Sequence, residues 1–204
     1  MHEDLLALVV NRKTGDERLR RSEDITDHTL LDFWRWSQSD LLSNATRGIL
    51  AEYIVGLALG CVTATRREWD AADLLTDDNI RVEVKSAAYL QTWTQSALSK
   101  IGFGIQPTRG WDAGTNTVSP DLRRQSDVYV FALLEHLSKA TVDPLDLDQW
   151  VFYVLPTATL DRQLAAQRRI SLARLLTLEP ETTRFDGLNT AVTGAALRGG
   201  QEAT

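Results

Sequence analysis

Apolar and polar positions recur with two different periods along this chain, and the change of period marks out its elements. From residue 29 to 42, Leu30, Leu31, Phe33, Trp34, Leu41 and Leu42 predict an amphipathic helix with aromatic anchors. Residues 44–60 give the clearest helix, with Ile49, Leu50, Tyr53, Ile54 and Leu57 at helical spacing. Ser43 or Asn44 can cap its start and Gly60 can end it. The period then shortens to two. Strands are predicted over 68–75 and 80–86, joined by Thr76-Asp77-Asp78-Asn79, which is turn chemistry. Val128–Leu134 is apolar on both faces and predicts a central strand, and 150–155 predicts another buried one.

The intervening stretches carry less order. Residues 1–28 hold a short apolar run at 5–10 and then mixed charges, which predicts a solvated helix or arm. Residues 87–98 predict a helix or an extended arm. Gly102, Gly104, Pro107, Gly110, Gly114 and Pro120 make 99–125 mostly loop. Residues 158–178 predict a helix, and 194–204 a flexible tail. No internal repeat is visible. This order of helices and strands predicts a mixed α/β (α+β) domain with a central mixed β-sheet flanked by helices. A single domain would span 1–204, with a helical extension at 1–42 and a core at 43–178.

Composition narrows the class. The chain has 204 residues, 43% apolar and 25% charged, which suits an ordinary globular core. Cys61 is the only cysteine, and His2, His28 and His136 are scattered, so neither a disulfide framework nor a zinc site is expected. The longest apolar run, 49–64, contains Glu52 and is too short and polar to span a bilayer. The acidic start Met1-His2-Glu3-Asp4 lacks the basic region of a signal peptide, so a cytoplasmic protein is expected. The net charge of −6 argues against broad attraction to nucleic acid. Several of those charges belong to the candidate site, however, where a cation would offset them.

That site centres on Arg81-Val82-Glu83-Val84-Lys85. On a strand, Glu83 and Lys85 share one face and Val82 and Val84 the other, so burial of the valines holds a carboxylate and an ammonium about 7 Å apart along a rigid element. If the hairpin pairs Thr76 with Ile80, Asp73 lies directly opposite Glu83, on the same face. Opposed Cβ atoms are about 5 Å apart, and two carboxylates so close repel unless a cation or proton intervenes. Asp70 competes for the role of first acid, lying near Lys85. Glu52 sits on the preceding helix between Gly48 and Gly56, which leave its carboxylate unshielded or simply serve helix packing. Three carboxylates without histidine or thiolate form a hard-oxygen set suited to magnesium, with manganese able to substitute. Lys85 can orient an attacking water, stabilise a pentavalent phosphate or, with a depressed pKa, act as a base.

Asp73, Glu83-Val84-Lys85 and the helix-borne Glu52 resemble the active-site pattern of the PD-(D/E)xK nuclease superfamily, the restriction-endonuclease-like fold. The resemblance covers residues 47–95 and implies magnesium-dependent cleavage of phosphodiesters, with DNA as substrate and restriction, repair or defence as role. It implies Asp73, Glu83 and Glu52 as metal-binding acids and Lys85 as the catalytic lysine. Gln91 resembles a polar residue some members carry on the following helix near the substrate backbone. Ala72 stands where the family often has proline. The resemblance is also compatible with a homodimer, here through the aromatic N-terminal helix, and with a DNA-targeting partner protein.

Arg109, Trp111, Arg123 and Arg124, with Lys100, could grip a phosphate backbone, although ordinary surface loops share this composition. Trp34 and Trp36 suit core or interface anchoring, Trp150 suits packing, and Asp127 suits a strand-start cap. The rival readings are a catalytically idle nucleic-acid- or protein-binding module on the same fold, and a regulatory interaction protein.

Overall fold

The computed structural model describes residues 8–66, 71–112 and 115–202. Its centre is a five-stranded mixed sheet. Two strands make its middle, β8 (Val128–Leu134) and β9 (Trp150–Pro156), and every residue of both is buried. Their unbroken apolar runs follow from burial on both faces. β4 (Arg81–Ala88) runs parallel to β8, and β9 runs antiparallel to it. Short strands close the edges: β3 (Leu74–Leu75) beside β4, and β11 (Glu181–Thr183) beside β9.

Each face of the sheet carries its own core. On one side lie α2 (Asn44–Ala58) and α5 (Leu188–Glu202), where Ala51, Val55, Leu188 and Val192 meet Val82, Val84 and Phe152. On the other side Tyr129, Phe131 and Tyr153 meet a ribbon of β5 (Gly102–Gly104) and β10 (Arg169–Ser171) through Phe103 and Ile170. Leu160 and Leu164 of α3 (Thr157–Leu164) and Leu175 of α4 (Leu172–Leu176) complete that layer. The predicted mixed sheet flanked by helices is therefore present, with five helices among the described residues. None of them is long and apolar enough to cross a membrane.

Several sequence expectations need correction. Among the described residues, 8–29 form no helix: β1 (Arg18–Arg21) and β2 (Asp24–Thr29) pair as a hairpin. It leads into α1 (Leu30–Gln38), which starts at a capping box between Thr29 and Asp32 and buries no residue. Residues 99–125 hold β5 and a second hairpin, β6 (Thr108–Asp112) with β7 (Thr117–Arg123), rather than mostly loop. The helix expected over 158–178 breaks at Ala165, whose φ of 31° ends α3 and turns the chain into β10. Residues 194–202, expected as a flexible tail, belong to α5, where the small side chains of Ala191 and Ala195 let the helix pack closely on the sheet. Of the strand expected over 68–75, residues 71–73 are bends and only Leu74–Leu75 is strand, while 68–70, with the competing acid Asp70, lie outside the described residues.

Candidate active site

The hairpin register is the one that opposes Asp73 to Glu83. Leu74 pairs with Val82 and Leu75 with Arg81, and the Thr76 N–H donates to the Ile80 carbonyl at 3.1 Å. β3 begins at Leu74, and just before it the Asp73 side chain extends the ladder. Its Oδ2 accepts the Val84 N–H at 2.7 Å, which fixes the carboxylate beside the strand that bears Glu83 and Lys85.

Val82 and Val84 are buried, and this anchors the opposite face of β4. Lys85 Nζ donates to Glu83 Oε1 at 2.5 Å. The second oxygen, Glu83 Oε2, accepts from the hydroxyl of buried Ser126 at 3.2 Å. Burial and then the neighbouring Glu83 carboxylate push the Asp73 carboxyl up to about 7, against the opposing pull of Lys85 and the Val84 N–H. Burial alone would lower Lys85, but Glu83 and Asp73 outweigh it and hold the ammonium above its usual range. Lys85 is therefore a cation at neutral pH, which suits charge stabilisation rather than proton abstraction.

Glu52 projects from α2 and accepts from one edge of the Arg66 guanidinium, from Nε at 2.5 Å and from Nη2 at 2.9 Å. Its charge contributes to the upward shifts of both Asp73 and Lys85, so the four residues share one electrostatic cluster. The two glycines flanking it differ. Gly48 borders open space, whereas a Cβ on Gly56 would sit 2.6 Å from Val62 and 3.2 Å from Leu74. Gly56 thus serves packing, letting the chain beside β3 press against α2.

Glu83 and Lys85 form one wall of a cleft of about 500 Å³. The facing wall carries Gln106, Thr108, Arg168 and Arg169. Sequence reasoning singled out none of these four, nor Ser126. The only available signal was the pair Arg168-Arg169, concealed inside a stretch that reads as helix.

The other sequence candidates scatter. Gln91 lies in the segment after β4 rather than on a helix, and it does not line the cleft. Its amide donates to the Ala88 carbonyl and the Ser99 hydroxyl, each at 3.3 Å. Arg109 and Arg123 are exposed on the β6–β7 hairpin, whose first residue, Thr108, reaches the cleft. Arg124 is buried instead. It donates to the Ile105 carbonyl at 2.8 Å, to Asp161 at 2.5 Å and to the Gln167 carbonyl at 3.2 Å, so it is a strut and not a free substrate contact. Trp150 is fully buried, as its position in a packed strand requires. Asp127 holds Arg81 through both backbone and side chain.

Among the described residues, no group of three His, Cys, Asp or Glu side chains converges in an arrangement that could hold a metal ion. The acids here are occupied by Arg66, Lys85 and the Val84 N–H.

Residues 3–164 match the model of the family described as bacteriophage T4 endonuclease IV. The chain belongs to that family. Membership in the endonuclease IV family supports a nuclease, a hydrolase of phosphodiester bonds that binds nucleic acid. No curated protein matches the chain.

Proposed function

We propose that this chain is a magnesium-dependent DNA endonuclease of the PD-(D/E)xK type, acting in restriction, repair or defence, with manganese able to substitute. The observation that carries the reading is the opposition of Asp73 to Glu83 across the β3–β4 register, with Lys85 two residues on and facing the cleft. Two carboxylates, Asp73 and Glu83, supply oxygen donors of the hard kind that a divalent cation takes. Asp73 and Glu83 place more negative charge together than the site tolerates without a proton, and a cation can replace that proton. Asp73 and Glu83 would hold it, joined by Glu52 once Arg66 releases its carboxylate. A cation so held supplies an activated water and neutralises charge on the phosphate.

The chain's own groups do the rest. Lys85, kept protonated by its acids, faces the phosphate and balances charge as the pentavalent state forms. Ser126 steadies the Glu83 oxygen that Lys85 does not hold, so both carboxylate oxygens keep their direction. The exposed side chains of α1, with Phe33 49% and Trp36 84% exposed, offer an apolar surface for a second copy of this chain or for a DNA-targeting partner.

Thermal melting of wild type and Asp73→Asn, with and without millimolar magnesium or manganese, tests the metal site. Metal stabilises wild type and not the variant, and wild type then nicks plasmid or single-stranded DNA. A second reading, an idle nucleic-acid- or protein-binding module, is favoured by the absence of a converged acid trio among the described residues. DNA binding without cleavage in manganese would decide for it.

A further inference from the structure

The acids of the site create an electrostatic problem that the rest of the cleft solves. A polyanionic strand must approach Glu52, Asp73 and Glu83 on a chain whose net charge is −6, so attraction has to come from cations placed locally. The wall facing Glu83 and Lys85 supplies them. We propose that Arg168 and Arg169 grip the phosphates flanking the one presented to Lys85, and so hold the nucleic acid in register. The proposal rests on the nuclease reading and extends it to how substrate is held.

Three observations support it. Both arginines line the cleft, and neither meets a carboxylate among the described residues. The Arg168 guanidinium is oriented by a neutral partner, since its Nε and one terminal nitrogen donate to Gln106 Oε1 at 3.2 and 3.1 Å. Its charge stays uncompensated and further N–H donors stay available for a phosphate oxygen.

The backbone beneath them is fixed as well. Arg169 pairs with Gly104 across the β5–β10 ribbon, and the Arg168 carbonyl accepts the Ile105 N–H at 2.9 Å. Buried Arg124 ties the adjoining Ile105 and Gln167 carbonyls together from within. Gly104 is exposed, and a Cβ placed on it would meet nothing within 4 Å. The ribbon therefore presents two guanidinium groups over bare backbone, which lets a sugar-phosphate chain approach closely.

The test is fluorescence anisotropy of labelled single-stranded and duplex DNA in EDTA, over a salt series, alongside cleavage kinetics in magnesium and in manganese. The proteins are wild type, the Arg168→Ala/Arg169→Ala pair, Arg169→Lys and Gly104→Leu. The double variant should keep its melting temperature, weaken DNA binding roughly 10- to 100-fold and lower the slope of log K against log salt by about 2. KM should rise more than kcat falls. Arg169→Lys should keep the slope, and Gly104→Leu should weaken binding without changing charge.

An unchanged affinity and salt slope in a folded double variant overturns the proposal, and leaves the nuclease reading intact if wild type cleaves. Arginine-dependent binding by a wild type that cleaves nothing in either metal overturns the nuclease reading and keeps the phosphate-gripping wall. A wild type that binds neither DNA and cleaves neither in either metal overturns both.

Discussion

Asp73→Asn should stabilise this protein at pH 8 and hardly change it at low pH, because the native site holds the carboxyl well above its ordinary range. Asp73 moves from 3.8 to about 7, chiefly through burial and then through Glu83. The folded pKa thus exceeds the unfolded one. Between about pH 4 and pH 7 the folded chain keeps a proton that the unfolded chain has released, so stability falls as pH rises through this window and levels off above it. At 1.36 kcal/mol per unit, the loss is about 2 kcal/mol by pH 5 and about 4 kcal/mol by pH 8. Asparagine has nearly the same shape, does not titrate, and keeps an oxygen to accept the Val84 N–H. The stability gap between variant and wild type should therefore widen by about 2–3 kcal/mol from pH 5 to pH 8. Urea unfolding at four pH values in EDTA measures it. A gap that stays constant with pH, or a variant less stable at pH 8, would refute the account of a carboxyl strained by burial and by Glu83.

The remaining predictions address single contacts. Lys85→Ala should abolish cleavage while leaving the fold and metal-induced stabilisation largely in place; cleavage assays paired with melting curves check both halves. Glu52→Gln should slow metal-dependent cleavage, and an unaffected rate would reduce the Glu52–Arg66 pair to a surface contact. Arg124→Ala should cost about 2–4 kcal/mol in urea unfolding, since it strips hydrogen bonds from the Ile105 and Gln167 carbonyls and leaves a cavity.

The wall of the cleft that carries Glu83 and Lys85 was legible because its geometry is local. The first five residues of β4 alternate between charge and valine, and the turn at 76–79 sets the register that opposes Asp73 to Glu83. The central strands were legible for a related reason, as a run such as Val128–Leu134 with no polar residue has few places to go other than between two covered faces. The hairpin at the N-terminus was not. Arg18–Arg21 and Asp24–Thr29 are polar and exposed throughout or nearly so, and their pairing leaves no buried face to impose a period of two on the sequence.

The facing wall was hidden by long-range structure rather than by weak local signal. Thr157–Leu164 does form a helix, and Leu160 and Leu164 continue into a spacing that would suit residues as far as 175. The break comes from Ala165 at φ 31°, a conformation that alanine does not favour and no local residue demands. It is stabilised from outside, by Arg124 reaching across the fold to the Gln167 carbonyl and to Asp161, and by the pairing of Arg169–Ser171 with Gly102–Gly104. The same long reach explains why Arg124 looked like a substrate contact. A loop arginine reads as free until its partners, here 19 to 43 residues away, are known. Arginines thus exchange their apparent roles: Arg124, which seemed available, builds the wall, and Arg168 and Arg169, which seemed to belong to a helix, are exposed on it.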